Sequence, residues 1–305
     1  MPGSDAGLAW VDGRVGALSE PLLPVTDRGF LFADSVFETV RTYGRRPFLL
    51  GDHLDRLRRS AEFLALPLPW QDSQFGEIAG ELLAAGTWDG DAAVRIVVTR
   101  GDGGAGLALP EPTVPRLVVV ARPIPAPPRE LYEHGVGVGI PASTVGKDAA
   151  IPAHVKSGSY IANVLALREA RARGGFEALL RGPDGSFAEG TTSNLFLVDR
   201  GTLLTPGTHE AILPGITRSL VLSLARRDGI PRAERQVMDE DLGRADEIFL
   251  TSTIKEVLPV VRVDGRSVGG GQPGPVTRRV QSLFRAAVAR LSEAGAWRMR
   301  DLPLR

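Results

Sequence analysis

Over the first third of the chain, stretches in which hydrophobic and polar positions alternate are mixed with stretches of helical spacing. LAWVDGRVG (8–16) sets apolar residues on either side of Asp12-Gly13, the pattern of a hairpin. SVFETVRTYGRRPFLL (35–50) predicts two strands about a Tyr43-Gly44 turn. In LGDHLDRLRRSAEFLAL (50–66), Leu54, Leu57, Ala61 and Leu64 fall on one face of a helix. A second helix is expected around FGEIAGELLAAG (75–86), followed by two apolar runs of strand length, AAVRIVVTR (92–100) and RLVVVARPI (116–124).

Pro123, Pro125, Pro127 and Pro128 interrupt this pattern, because proline supplies no ladder donor and stiffens the chain. They mark 123–134 as a connector between a smaller N-terminal α/β domain, 1–122, and a C-terminal domain, 135–305. In the second domain GVGVGIPAST (135–144) reads as a strand and 157–173 as a helix closed by Gly174-Gly175. Residues 176–206 read as successive strands with turns at Pro183-Asp184-Gly185 and Asp199-Arg200-Gly201. A helix begins after Pro214-Gly215, further strands are expected over 246–265, and a last helix runs over 276–294. The expected fold class is α/β with α+β character.

Composition narrows the function. The 305 residues carry 36 Lys and Arg against 36 Asp and Glu, so no net field favours nucleic acid, an anionic membrane or an acidic partner, and a small-molecule partner is expected. There is no cysteine, and His53, His134, His154 and His209 include no pair at i, i+4 spacing; no metal site is expected. No run of 18 apolar residues occurs and the N-terminus lacks a basic start with an apolar core, so a cytoplasmic protein is expected.

Two stretches carry candidate chemistry. GDGGAG (101–106) matches a dinucleotide-binding glycine pattern, but LALPEPTVP follows it and cannot form the helix that such a loop requires. Residues 189–218, EGTTSNLFLVDRGTLLTPGTHEAILPGITR, join a carboxylate near a turn to a Pro-Gly helix start. The unpaired N–H groups there and the Thr217 hydroxyl make a seat for an anion such as phosphate.

Glu189, Asn194, Leu195-Phe196, Thr205, Leu213, Gly215, Ile216 and Arg218 together resemble the signature of the class IV aminotransferases, the fold-type IV enzymes that depend on pyridoxal 5′-phosphate. DRGFLFADSVFETVR, DHLDRLRRSA, VKSGSYIANVLA and FLTSTIKEVLPV resemble other motifs of that family, in family order over nearly the whole chain. The resemblance implies two domains with the cofactor between them, and a homodimer whose site is completed by a neighbouring loop that includes Arg28 and Phe32. It implies that Lys156 bonds covalently to the cofactor and moves the substrate proton, and that Glu189 faces the pyridine nitrogen. Arg56, Ile216, Thr217 and Thr253 would hold the phosphate, and Tyr160 would hydrogen-bond the phenolic oxygen.

Family members differ in how they grip the substrate carboxylate. Branched-chain enzymes place Tyr-x-Arg where this chain has Ala93-Val94-Arg95, and D-amino-acid enzymes carry Arg-x-His where it has Ala105, Gly106 and Leu107. EGTTSNLF, LTSTIKEVLPV and Tyr160 resemble the D-amino-acid and lyase side of the family. A transaminase acting on D-amino acids is therefore expected, with branched-chain L-amino-acid or R-amine activity alongside it. The alternatives are a 4-amino-4-deoxychorismate lyase and a non-catalytic cofactor-binding protein. Arg28, Arg95, Arg100 and Arg181 are the candidate carboxylate clamps, since a planar fork suits a carboxylate.

Overall fold

The computed structural model describes residues 7–20, 23–103, 106–142, 151–208 and 212–301. The chain forms two compact units: unit 1 is 1–126, 155–159 and 288–305, and unit 2 is 127–154 and 160–287. The first crossing falls inside the proline-rich connector. Two later stretches, 155–159 and 288–305, go with the N-terminal residues rather than with the rest of 135–305.

Unit 1 contains β1 (Leu8–Val11), β2 (Arg14–Ala17), α1 (Arg28–Phe32), β3 (Ser35–Tyr43), β4 (Arg46–Pro47), α2 (Leu50–Phe63), α3 (Asp72–Ala85), β5 (Ala92–Thr99) and β6 (Arg116–Pro123). Its sheet has the order β2-β1-β6-β5-β3-β4, with every pairing antiparallel. Period-two alternation sends Val36, Val40, Val94, Ile96, Val98, Leu117 and Val119 inward, where they join Leu54 and Leu57 of α2 and Phe75 and Leu82 of α3 in one core. β4 pairs only with Thr42 and Tyr43, so it leaves the start of β3 uncovered on that side. Trp297 and Arg298 strap α2 and the start of α3: Gly51 donates to the Trp297 carbonyl, and Arg298 pairs with Asp55 and Asp72.

Unit 2 contains α4 (Arg129–Glu133), β7 (Val136–Gly139), α5 (Ile161–Ala172), β8 (Glu177–Arg181), β9 (Phe187–Gly190), β10 (Asn194–Asp199), β11 (Thr202–Thr205), α6 (Ile216–Arg227), β12 (Arg232–Glu234), α7 (Asp239–Arg244), β13 (Glu247–Ser252), β14 (Glu256–Val263), β15 (Arg266–Ser267) and the first part of α8 (Pro275–Ala294). The sheet runs β12-β11-β10-β13-β14-β7-β8-β9, and β9 also pairs with β10, so β10, β13, β14, β7, β8 and β9 close into a ring. The closing pair is Asn194 opposite Glu189. β14–β7 and β7–β8 pair in parallel, and β8, β9 and β10, where the ring closes, are almost wholly buried.

The helix expected over 157–173 begins only at Ile161. Residues 156–158 are extended instead, because they pair with the uncovered start of β3. The short helices α1, α4 and α7 were not legible from periodicity, which needs longer windows. No helix follows the glycine-rich loop, whose residues 104–105, including the Ala105 position, lie outside the described residues, as does His209. Among the described residues no helix is long and apolar enough to cross a membrane.

Candidate active site

In unit 1 the lysine segment is extended and bridges the open edge of β3. The Lys156 carbonyl accepts from the Phe37 N–H at 3.0 Å, Gly158 N–H donates to the Ser35 carbonyl at 2.8 Å, and Lys156 N–H donates to the buried Ser60 hydroxyl at 3.0 Å. These bonds satisfy the edge of β3 that β4 leaves open. Glycine is required at 158, since a Cβ there would overlap the Ser35 hydroxyl. Lys156 itself is half-buried, with Nζ 4.5 Å from the centre of the Phe37 ring. The Arg95 guanidinium lies 3.8 Å from the centre of that ring.

Beneath β3 and α2 lies a buried charge triad. Arg56 grips Glu38 through Nε at 2.6 Å and Nη2 at 2.7 Å, and His53 Nδ1 lies 2.8 Å from the same carboxylate. Burial alone would raise the Glu38 carboxyl, but Arg56 and His53 outweigh it and hold the group well below the usual carboxylate range. Burial pushes His53 down by stripping water from its charged form, and the charges of Arg56 and Lys156 add to this against the opposing pull of Glu38. His53 is therefore neutral and donates its Nδ1–H to Glu38. The bidentate grip expected of Arg56 is thus made to Glu38, eighteen residues earlier. Motif reading missed Glu38; the available signal was a lone carboxylate at an inward position of an apolar strand.

The candidate clamps separate clearly. Arg28 bonds Asp34 at 3.0 Å and the carbonyls of Gly106, Leu107 and Ala108, with its guanidinium 4.9 Å from the Phe32 ring centre. Arg100 bonds the same Asp34 and the carbonyls of Leu64 and Ala65. Arg181, in unit 2, bonds Asp239 and the Gly185 carbonyl and covers the Phe187 ring. Those three guanidiniums serve the scaffold. Arg95, exposed on β5, is the candidate that shares a ring with Lys156.

In unit 2, Glu189 sits at the closure of the ring of strands. Its Oε2 accepts from the Leu213 N–H at 2.9 Å and the Asn194 amide at 3.3 Å, while that amide also donates to the Leu213 carbonyl at 2.8 Å. The same hydrogen bonds dock the segment that leads into α6. Helix α6 starts at Ile216 and Thr217, both buried, with Gly215 at its N-cap and no side-chain cap bond there. A Cβ at Gly215 would overlap Asn194 Oδ1, so only glycine lets the helix start approach this closely. Thr253 lies half-buried in the turn between β13 and β14, and Tyr160 immediately precedes α5.

These residues fit pyridoxal 5′-phosphate. A helix start with no side chain capping it and a buried threonine suits the phosphate. A carboxylate fixed by two donors suits the ring nitrogen, and a half-buried lysine at a pinned backbone suits the aldehyde. Comparison with known proteins agrees with this chemistry. The family model for amino-transferase class IV matches residues 35–263. The chain is 36% identical over 277 residues to a Methanocaldococcus jannaschii chain named provisionally as a branched-chain-amino-acid aminotransferase, covering 90% of this chain and 94% of that one. It is 32% identical over 283 residues to the D-alanine aminotransferase of Bacillus licheniformis, covering 91% and 95%. The T.th. branched-chain amino acid aminotransferase, solved with pyridoxamine 5′-phosphate, superposes at TM-score 0.87 with 30% identity, covering 96% and 97%. The chain belongs to the class IV aminotransferases and is a pyridoxal 5′-phosphate-dependent enzyme.

Proposed function

We propose that this aminotransferase takes its amino group from a D-amino acid and passes it to a 2-oxo acid, with Arg95 receiving the α-carboxylate. One observation carries the reading: an amine nucleophile and an exposed guanidinium address the same Phe37 ring, Lys156 at 4.5 Å and Arg95 at 3.8 Å. A planar fork beside a reactive amine suits an amino acid. The tyrosine that branched-chain relatives pair with that arginine is absent at Ala93, which favours the D series over the branched-chain L series.

The cofactor, when bound, supplies an electron-withdrawing ring that stabilises negative charge at the substrate Cα. Lys156 Nζ would be the covalent anchor and then the base that carries the substrate's Cα proton across to the cofactor's C4′, and the reverse in the second half-reaction, which gives ping-pong kinetics. Glu189 keeps a proton at the ring nitrogen, with Leu213 and Asn194 holding its carboxylate in place. Ile216, Thr217 and Thr253 bind the phosphate, Arg56 joins them only through N–H groups outside its Nε and Nη2 grip on Glu38, and Tyr160 donates to the phenolic oxygen. The working form is a cytoplasmic homodimer. Phe30 and Leu107, 67% and 79% exposed, together with Leu31, Phe32 and Leu109, leave apolar surface on unit 1 that a second copy would cover.

A half-reaction panel tests the substrate. Holoenzyme is mixed with single D- and L-amino acids and with each enantiomer of 1-phenylethylamine while the cofactor absorbance is followed. Stoichiometric conversion by D-amino acids is expected, with R95Q raising KM much more than it lowers kcat. Conversion by L-branched-chain amino acids alone would reassign the substrate. Silence toward every amino acid, with pyruvate released from 4-amino-4-deoxychorismate, would make the enzyme a lyase.

A further inference from the structure

Unit 2 buries a second glutamate that the reaction outlined above leaves unused. Glu177 opens β8 and is fully buried. Its Oε1 accepts from the Ala178 N–H at 3.1 Å, the Thr191 N–H at 3.3 Å and the Thr191 hydroxyl; its Oε2 accepts from the Thr192 hydroxyl at 3.1 Å and from Lys255 Nζ. Lys255 Nζ also reaches the Thr192 hydroxyl at 2.7 Å. Its backbone is fixed at both ends, with N–H donating to the Ser252 hydroxyl at 3.1 Å and the carbonyl accepting from the Tyr132 hydroxyl at 3.0 Å.

The two partners stand on different turns. Residues 191–193 connect Glu189 to Asn194, the pair at the closure of the strand ring. Residues 253–255 connect β13 to β14 and carry Thr253. The first turn is pressed against Glu177: a Cβ on Gly190 would overlap the Ser193 hydroxyl and crowd Glu177 Cγ, and Asn163 ties down the Thr191 carbonyl at 2.7 Å.

We infer that Glu177 and Lys255 form a positioning ion pair, which fixes the turn that aims Glu189 at the cofactor's ring nitrogen to the turn that presents Thr253 to its phosphate. This rests on the roles proposed for Glu189 and Thr253. Neither member is assigned a contact with substrate or cofactor in that reading; the pair acts by holding the spacing between two contacts that grip opposite ends of one rigid molecule. Binding therefore senses small movements of either turn. Burial raises the Glu177 carboxyl, but the charge and hydrogen bond of Lys255 outweigh it, so the group is ionised at neutral pH and the pair is a true ion pair. Its lysine end is the accessible one, with 24% of the side chain exposed against none for Glu177.

The test compares E177Q, K255M and K255R with the parent and with E189Q, all reconstituted with pyridoxal 5′-phosphate. The readouts are the cofactor's dissociation constant, the pH profile of its absorbance, and the melting temperature of the apo form. E177Q and K255M are expected to weaken cofactor binding by about tenfold or more and to shift the absorbance profile in the direction that E189Q does. K255R should stay near the parent, and E177Q/K255M should be no worse than the poorer single variant. Lower melting temperatures with unchanged cofactor affinity and absorbance profile would make the pair scaffold only and overturn the inference. If E189Q itself leaves the absorbance profile untouched, the reading of Glu189 fails first; if E189Q moves it while E177Q and K255M do not, the positioning role alone fails. Should E177Q not fold, K255M and K255R carry the decision.

Discussion

Lys156 and Glu189 reach their places by opposite means. Lys156 stands in a five-residue insertion of unit 1 that owns no helix or strand and is held by two backbone bonds to β3 and one hydroxyl of α2. Glu189 stands in a strand whose pairing with β10 closes a ring of six, and its carboxylate also docks the segment that leads into α6. In the first place chemistry is added to a finished scaffold, so the side chain can change at little structural cost. In the second, chemistry and scaffold use the same hydrogen bonds, so a change to either is felt by both.

The largest expected effect breaks the molecule at the first place only. K156A should lower transaminase turnover by about 10⁴-fold, the loss of a covalent anchor and a proton carrier together. The unfolding free energy of the apo protein should move by less than about 0.5 kcal/mol, as for a side chain outside the core. Three hydrogen bonds of this segment use backbone atoms of residues 156 and 158, and alanine keeps these. A large stability loss in K156A would show that the two places do not differ as described.

What the sequence disclosed follows the same division. Long periodic elements were legible: the face of α2 with Leu54, Leu57 and Ala61, the hairpin of β1 and β2, and the start of α6 after Gly215 all appear where periodicity and turn residues put them. Lys156, Glu189 and the helix start were legible as a family pattern, in which residues far apart in the chain are already aligned. Partnerships made by tertiary structure alone were not legible. Nothing in DHLDRLRRSA says that Arg56 faces Glu38, because that pairing depends on how α2 lies on β3. The helix expected from 157 begins only at Ile161 for a related reason: Ser157, Gly158 and Ser159 are weak helix formers, and the open edge of β3, a long-range fact, pairs with their backbone. Arg28, Arg100 and Arg181 had the right chemistry for a clamp, and only their carboxylate and carbonyl partners show it spent elsewhere.

A smaller effect sharpens the comparison at the second place. G215A puts a methyl group against Asn194 Oδ1, whose amide bridges Glu189 and Leu213. Asn194 is buried and paired on both sides in the sheet, so it cannot swing away. Overpacking of this kind costs about 1–3 kcal/mol. The cost should appear both in melting and in the affinity for pyridoxal 5′-phosphate, unlike K156A. A G215A protein that melts normally yet binds cofactor poorly, or the reverse, would separate scaffold from site at a position where they are described as one.

The smallest effect comes from pH and distinguishes the two units by their buried charges. His53 of unit 1 is pushed below its ordinary value of 6.5, first by burial and then by the positive charges of Arg56 and Lys156, against the opposing pull of Glu38. The folded protein therefore leaves His53 neutral while the unfolded chain takes up a proton as pH falls through 6.5. Stability is present above that value and lost below it, by up to about 1.4 kcal/mol per pH unit for one proton. Glu177 of unit 2 is lowered from 4.5, as is Glu38, so their contributions are present above 4.5 and lost only as pH falls further. Between pH 6.5 and 4.5 acidification should therefore loosen α2 and β3 while β10 and β13 keep their protection. Hydrogen exchange at about pH 7 and about pH 5, followed peptide by peptide, measures the difference directly. H53N keeps a neutral donor at the position nearest Nδ1 and should abolish the selective loss in unit 1. Equal loosening of both units, or a selective loss that survives in H53N, would remove His53 as its origin.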